Sequence, residues 1–283
     1  MQFQPGSSAR HDVLAFYRDM PFNFHESASE AAERIAKMNI CDVYPVLERF
    51  LRPATRVLEV GCGTGWLSNA IAYHHHCQVL GIDFNRVAIE RSKEVEGILG
   101  SGAEFLEADL FSFETAEKFR LIISLGVLHH TSDCLGGVRH ICRTLLAPKG
   151  HLFLGLYHRY GRSPFLQHFE DLKRQKLSEE NLFVEYKRLH GDLHDEQHIL
   201  SWFRDQVLHP YETQHTIKEL LPIFEEENME LRFTSINDFA KAWSIDELLD
   251  LERAFEEKAR RDLLEGKYNP GFFVVLARKL DSK

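Results

Sequence analysis

An apolar strand that leads directly into three alternate glycines constrains this chain more than any other feature. The segment is Val57-Leu-Glu-Val-Gly-Cys-Gly-Thr-Gly-Trp-Leu-Ser68, with glycines at Gly61, Gly63 and Gly65. Glycine tolerates positive φ and has no Cβ atom, so the backbone there can approach a ligand closely. The helix that follows directs its unpaired N–H groups at the same ligand. The segment therefore predicts a nucleotide-type pocket on a strand, a turn and a helix.

The spacing of the glycines narrows the kind of nucleotide. Pyrophosphate cofactors are typical of G-x-G-x-x-G, whereas Trp66 follows Gly65 here and no third glycine lies in that register. A second apolar run, Gln78-Val-Leu-Gly-Ile82, ends in Asp83. A carboxylate at such a strand end can accept hydrogen bonds from both hydroxyls of a ribose. The pattern favours a nucleoside bound without a pyrophosphate.

Five signals in the same order resemble the class I S-adenosylmethionine-dependent methyltransferases. They are Glu59-x-Gly61-x-Gly63-x-Gly65, Asp83, a third strand Ala103–Ala108 before Asp109-Leu110, a fourth strand Leu121–Leu125 before Gly126–His130, and a turn Leu146–Gly150 into a fifth strand His151–Leu156. This resemblance implies that the cofactor is S-adenosylmethionine and that the product is S-adenosylhomocysteine.

The resemblance also implies positions for the cofactor-binding residues. These are Glu59, Gly61, Gly63 and Gly65 in the first motif, Asp83 and Phe84 at the ribose, Asp109 and Leu110 at the adenine, and Leu125 beside the sulfonium. In addition, Tyr17 and Asn23 are expected to close over the methionine moiety, which is an inference from their position alone.

Strands and helices alternate from about residue 56 to residue 156, which indicates an α/β fold with a doubly wound, mostly parallel sheet. The family resemblance implies seven strands, the last two antiparallel. Alternation in Met229–Ile236 and the apolar run Phe272–Ala277 fit that pair. We expect one domain, with an N-terminal helical lid (1–50), a cofactor-binding core (51–157 and 215–283) and a substrate-facing helical cap (158–214). Capping boxes at Thr216–Glu219 and Ser244–Glu247 predict two helices after the cap.

Charge and composition limit the partners. The chain has 34 basic and 43 acidic residues, a net charge of −9, and no basic stripe, so a nucleic-acid partner is not expected. Five cysteines without a C-x-x-C spacing favour a reducing compartment. The N-terminus lacks a signal-peptide pattern and no apolar run approaches ~20 residues. We therefore expect a cytoplasmic protein without a membrane partner, and its oligomeric state stays open.

A metal site is the main alternative use of the sixteen histidines. His190, His194 and His198 follow at intervals of four, and two such histidines on one helix could bind zinc. However, Asp195 follows His194 where the zincin motif has glutamate, and no third ligand is identifiable. We therefore expect a metal-independent enzyme.

Methyl transfer needs an acceptor lone pair held about 3 Å from the methyl group and the removal of any blocking proton. Candidate bases or positioning groups follow the fourth and fifth strands, namely His129, His130, Tyr157, His158 and Tyr160. Among these we favour His129 and Tyr157 as catalytic residues.

Motifs of other branches of the family are missing. The fourth strand is not followed by an Asn/Asp-Pro-Pro-aromatic stretch or by metal-binding carboxylates, and no cysteine follows proline. The expected acceptor is therefore a small molecule, with oxygen, nitrogen, sulfur and carbon all open as the acceptor atom. Two alternatives remain, an intramolecular cyclisation of the cofactor that releases methylthioadenosine, and cofactor binding without catalysis.

Overall fold

The chain folds around a seven-stranded sheet with strand order β3-β2-β1-β4-β5-β7-β6. This computed structural model describes residues 13, 15–17, 22, 27–191, 196–241 and 243–281. The strands are β1 Arg56–Val60, β2 Gln78–Asp83, β3 Glu104–Glu107, β4 Phe119–Leu125, β5 Leu146–Tyr157, β6 Met229–Thr234 and β7 Phe272–Lys279. Strands β1 to β5 pair in parallel, and β7 lies antiparallel between β5 and β6. The predicted fold class is confirmed.

Helices flank the sheet, and most of the described ones begin after a polar residue whose side chain caps the first turn. Those with described bounds are α1 Ala28–Lys37, α2 Ile40–Val43, α3 Trp66–His75, α4 Arg86–Leu99, α5 Cys134–His140, α6 Arg159–Arg174, α7 Glu179–His190, α8 Glu196–Phe203, α9 Ile217–Glu226 and α10 Ile245–Leu264. Thr216 and Ser244 each form a complete capping box, so α9 and α10 begin where the sequence predicts. None of the described helices is long and apolar enough to cross a membrane.

Several strand boundaries differ from the sequence expectation, since β3 is one residue shorter at each end, β4 begins two residues earlier and β7 ends two residues later, with further differences at β5 and β6. Strand β5 begins at Leu146 and not at His151, because Leu146 already pairs with Phe119 before a register shift in the ladder. The expected turn 146–150 is therefore an irregularity inside the strand. Strand β6 ends at Thr234, two residues early, because the Thr234 hydroxyl accepts a hydrogen bond from the Ile236 N–H at 3.2 Å and starts a 3₁₀ turn.

Apolar side chains cover both faces of the sheet, because successive residues of a strand point to opposite sides. Leu58 and Ile122 belong to the core formed with α5, α9 and α10. Val57 and Leu121 belong to the core on the other face, which includes residues of α3 and of the segment 40–51. Burial on both faces leaves the strand ends as the place where polar groups can meet a ligand.

Helices α6, α7 and α8 have an apolar core of their own. Its buried members are Phe165, Phe169, Leu182, Tyr186, Leu189, Ile199, Phe203 and Val207. Helix α6 also packs along α10 and joins this unit to the rest of the molecule. The segment after β5 is thus a packed helical unit, and its role as a cap over the substrate stays a prediction.

The sheet centre tolerates no side chain at Gly155. A Cβ atom there would lie 2.3 Å from Phe272 Cζ and 2.8 Å from Leu125 Cδ2. We expect Gly155→Ala to destabilise the protein by about 1–3 kcal/mol, since β5 is packed between β4 and β7. Urea unfolding measures the change. Gly97→Ala is the matched control, because Gly97 lies in α4 with nothing within 4 Å of the added atom, and it should be neutral or stabilising. Equal stability of the two variants would contradict this packing argument.

Candidate active site

The glycine turn after β1 is tied to the end of β2 and opens at its centre. The N–H groups of Gly61 and Cys62 both donate to the Ile82 carbonyl, at 2.8 and 3.0 Å. A Cβ atom at Gly61 would meet Val127 at 2.4 Å, so packing alone explains that glycine. Gly63 has φ +52°, and the nearest atom to its added Cβ would be the Phe22 carbonyl oxygen, 3.9 Å away. A ligand can therefore approach the backbone at Gly63.

Asp83 ends β2 beside this turn with hydrogen-bonding capacity to spare. Its Oδ2 accepts the Gly63 N–H at 2.9 Å, and its Oδ1 accepts the Asn85 N–H at 2.8 Å. The Phe84 N–H also stabilises this carboxylate, and because a carboxylate offers about four acceptor positions, acceptor capacity is left for a ligand. Burial raises the pKa of Asp83, and the backbone N–H groups of Asn85 and Gly63 oppose that shift. The geometry suits two hydroxyl donors on neighbouring carbons.

Glu59 is buried at the other side of the turn. Its carboxyl group accepts the Ser68 hydroxyl hydrogen and so links β1 to the first turn of α3. Burial raises the pKa of Glu59 to about 8, so the group is largely protonated near neutral pH. Glu59 thus shapes the pocket wall as a neutral acid.

Phe84 and Asp109 lie together in an open cleft of about 540 Å³ at the ends of β2 and β3. Asp109 also caps the 3₁₀ turn that follows, where its Oδ1 accepts the Phe111 N–H at 3.3 Å. Leu110 does not join them, because its side chain is buried in the core. Of the two residues expected at the adenine, Asp109 alone presents a side chain to the cleft.

Tyr17 connects the β2 end to the helical unit after β5. Its carbonyl oxygen accepts the Asn85 Nδ2–H at 3.0 Å, and its hydroxyl donates to Asp205 Oδ1. The N-terminal segment therefore contacts both halves of the site. Asn23, predicted beside the cofactor, lies outside the described residues.

The loop after β4 brings His129 against Tyr157. Leu125 ends the strand, and Gly126 (φ +77°) has nothing within 4 Å of an added Cβ, so the backbone there is open to a ligand. The His129 and Tyr157 rings lie 4.1 Å apart between centroids. The Tyr157 N–H donates to His129 Nδ1 at 3.2 Å, so neutral His129 carries its proton on Nε2. Burial, with the nearby His130, holds the pKa of His129 well below its usual value. His129 therefore presents an N–H donor.

Tyr157 is held by charged groups from the helical unit. Its hydroxyl donates to Asp205 Oδ2 at 3.3 Å, and the Arg162 guanidinium lies 3.8 Å from its ring centroid. Arg162 is fully buried and donates to both carboxylate oxygens of Glu212, at 3.0 and 2.7 Å. Burial raises the pKa of Tyr157, with the Arg162 charge opposing the shift, so the phenol stays neutral.

Sequence reasoning missed the polar residues that this helical unit supplies, namely Arg162, Asp205, Gln206, His209 and Glu212. Helix α8 continues into a π-helical turn, Arg204–Leu208, in which three successive residues, 205 to 207, are all buried. The spacing of apolar residues that predicts an amphipathic α-helix gives no indication of a π-helical turn or of buried polar residues within it. The one signal in the sequence is a polar pair, Asp205-Gln206, inside an otherwise mostly apolar run.

The histidines considered for a metal site lie apart from this cluster. His190 and His198 each pack against Trp202, with ring centroids 5.3 and 5.0 Å apart, and His194 lies outside the described residues. Within residues 27–191, 196–241 and 243–281 and the few described positions before them, no group of three or more potential ligands could hold a metal ion.

A doubly wound sheet with an open glycine turn, a carboxylate at the next strand end and a polar aromatic cluster opposite defines a nucleoside-binding enzyme of the Rossmann-like class. A family model described as a methyltransferase domain matches residues 51–228, more than half of the chain. The protein belongs to the class I S-adenosylmethionine-dependent methyltransferase family.

Comparison with known proteins agrees with this membership. The chain is 27% identical over 157 residues to a ubiquinone biosynthesis O-methyltransferase of Stutzerimonas stutzeri, a match that covers 54% of this chain and 66% of the relative. The chain thus spans just under two thirds of that relative's length. PKMT2 from Rickettsia typhi, solved in complex with AdoHcy, has a TM-score of 0.57 at 17% identity, covering 83% of this chain and 51% of that one. The [4+2]-cyclase SpnF has a TM-score of 0.51 at 16% identity, and the match covers 99% of this chain and 100% of the SpnF chain.

The buried acid Glu59 makes stability depend on pH. A raised native pKa means that folding favours the protonated form, so this contribution is complete below pH 4.5 and is lost as pH rises toward 8. Between pH 5 and pH 8, we expect the free energy of unfolding of the wild type to fall by on the order of 3 kcal/mol relative to that of Glu59→Gln. Urea unfolding of both proteins across that range measures the difference. A constant difference would mean that Glu59 is ionised in the native state.

Proposed function

We propose that this protein transfers a methyl group from S-adenosylmethionine to a small-molecule acceptor. The observation that carries the proposal is the pairing of open backbone at Gly63 with an Asp83 carboxylate that keeps acceptor capacity. When bound, S-adenosylmethionine supplies an electrophilic methyl group on a sulfonium. The acceptor side would be the cluster around His129 and Tyr157 at the ends of β4 and β5.

The residues of the cofactor side fit such a ligand. Asp83 would accept the ribose hydroxyls, while Phe84 and Asp109 would face the adenine from the cleft that they share. The same pocket would be completed by the other residues that the sequence predicts, namely Glu59, Gly61, Gly63, Gly65, Leu110, Leu125, Tyr17 and Asn23. The open backbone at Gly126 leaves room beside Leu125 for the sulfonium end.

On the acceptor side we propose that His129 and Tyr157 position the acceptor. His129 would donate from Nε2, and the Tyr157 ring would form a wall fixed by Arg162. The helical segment 158–214 would cover this side and exclude water. Oxygen is the favoured acceptor atom, because the curated relative is named as an O-methyltransferase. We further propose that transfer needs no metal ion.

Product analysis separates this function from the alternatives. The full-length protein is incubated with S-adenosylmethionine labelled in its methyl group, with and without a panel of hydroxyl and amine metabolites. Label in an acceptor, together with S-adenosylhomocysteine, would support methyl transfer. Methylthioadenosine formed without an acceptor would indicate cyclisation, and neither product would indicate binding alone. Activity that is lost after a chelator and restored by zinc or magnesium would contradict the metal-free proposal.

Removing the Asp83 carboxylate should cripple cofactor binding. Hydrogen bonds to a charged group contribute about 1.5–3 kcal/mol each, so we expect Asp83→Ala to weaken S-adenosylhomocysteine binding by roughly 10- to 100-fold or more. Isothermal titration calorimetry measures the dissociation constant. Asp250→Ala is the control, because Asp250 is exposed on α10 and pairs with Arg253. An unchanged constant in folded Asp83→Ala would remove Asp83 from the site.

A further inference from the structure

Three histidine rings pack against one another beside Tyr157, and each has one ring nitrogen without a hydrogen-bond partner among the described residues. The ring centroids of His129 and His130 lie 4.3 Å apart, and those of His130 and His209 lie 3.8 Å apart. Each Nε2 atom is buried and has no hydrogen-bond partner among the described residues. An unpaired buried polar atom costs roughly 1–3 kcal/mol. Three such atoms together indicate a ligand that supplies their partners.

The partner of Nδ1 fixes the tautomer of His130. His130 Nδ1 lies 3.0 Å from the carbonyl oxygen of Tyr211, and a carbonyl can only accept. The proton of the neutral ring is therefore on Nδ1, and Nε2 carries a lone pair. Burial lowers the pKa of His130 to about 4, so the ring is neutral at physiological pH.

The other two rings have the opposite tautomer. His129 Nδ1 accepts the Tyr157 N–H at 3.2 Å, and His209 Nδ1 accepts the Tyr211 N–H at 3.1 Å. In their neutral forms both rings therefore present an N–H group at Nε2. Among the three histidines, His130 alone offers a buried lone pair that can take a proton.

Asp205 is placed to stabilise a proton on His130. Its Oδ1 lies 3.6 Å from His130 Nε2, too far for a hydrogen bond yet close enough for strong attraction to an imidazolium. The hydroxyl of Tyr17 donates to Oδ1 and that of Tyr157 donates to Oδ2. These two donors hold the carboxyl group in place. Burial raises the pKa of Asp205, and the nearby His209, the Tyr17 hydroxyl and the Arg162 charge oppose that shift.

We propose that His130 Nε2 accepts the proton that the acceptor loses, and that the acceptor presents an uncharged hydroxyl group on an aromatic ring. This inference rests on the proposed methyl transfer. The hydroxyl oxygen uses a lone pair to bond the methyl carbon, the electron pair of the carbon–sulfur bond stays on sulfur, and the hydroxyl proton moves to His130 Nε2. The Asp205 carboxyl group then lies beside the positively charged imidazolium of His130.

The surroundings select this class of acceptor. The unused Nε2 positions comprise two N–H donors, on His129 and His209, and one lone pair, on His130, so a hydroxyl group can satisfy both kinds whereas an ammonium group can only donate. The rings of Phe16 and Tyr17 lie 5.0 and 5.4 Å from His209, so aromatic side chains adjoin these histidines. Aromatic neighbours favour an aromatic ring through stacking and edge contacts.

Nitrogen NMR on full-length protein labelled with ¹⁵N in its histidine rings tests the tautomers and the ligand class together. With S-adenosylhomocysteine present, His130 Nε2 should have the ¹⁵N chemical shift of an unprotonated ring nitrogen. In His129 and His209 the unprotonated nitrogen should instead be Nδ1. Phenol should move the His130 Nε2 signal strongly, because its hydroxyl donates there. Anisole, the methyl ether with the same ring, should not. A proton on His130 Nε2, or an equal response to the two probes, including none, would overturn the proposal.

Matched variants assign the effect to His130. His130→Asn keeps an N–H for the Tyr211 carbonyl but has no atom at the Nε2 position. His76→Asn is the matched control, because His76 is exposed at the C-terminal end of α3 and has a positive φ that asparagine tolerates. We expect wild type to bind phenol several-fold more tightly than anisole. This binding preference should vanish in the first variant and persist in the second. Both variants should keep the wild-type affinity for S-adenosylhomocysteine within a few fold. With an acceptor identified by product analysis, His130→Asn should lower kcat by ~10²-fold or more. Wild type that binds phenol through His130 but makes no methylated product would contradict the proposed function and leave this binding site standing.

Discussion

The Asp83 carboxylate is the group on which the rest of the site depends. It accepts N–H groups from the glycine turn and from Asn85, and so fixes the end of β2 against the turn after β1. Asn85 in turn holds the Tyr17 carbonyl, and the Tyr17 hydroxyl reaches Asp205. These contacts link the glycine turn to Asp205 through the single residue Tyr17.

The acceptor side rests on a buried charge that its neighbours balance. Arg162 is enclosed completely, which is costly for a guanidinium unless every donor is satisfied. The Glu212 carboxylate accepts two hydrogen bonds from Arg162, and the carbonyl oxygens of Gln206 and Pro270 accept one each. Because the same guanidinium lies over Tyr157, the position of that ring depends on residues from the helical unit and from the segment before β7. The site is therefore built jointly by both parts of the chain.

Local motifs correctly placed the glycine turn and Asp83 at neighbouring strand ends, and their contact with a cofactor stays a prediction. Gly61 to Gly65 and Asp83 lie within one strand–helix–strand unit, where turn chemistry and strand ends fix their places. The acceptor side was predictable only in part. His129 and Tyr157 lie at strand ends, where the sequence pattern places them. Arg162, Asp205 and Glu212 come from parts of the sequence far from these strands, and the π-helical turn that holds Asp205 has no recognisable sequence pattern. The tautomers of the histidines depend on backbone partners such as Tyr211, which only the folded chain brings near.

The π-helical turn Arg204–Leu208 makes the acceptor site depend on the length of the chain as well as on its residues. A π turn holds one residue more than an α turn, and in an α-helix each residue turns the backbone by about 100°. Loss of a single codon in this turn would let the helix continue in a regular α-helical path and would carry Asp205 away from His130 and the two tyrosines. Every amino acid of the cofactor side would be unchanged. A one-residue deletion there would thus leave the glycine turn and Asp83 intact while it separated Asp205 from the histidine that it faces.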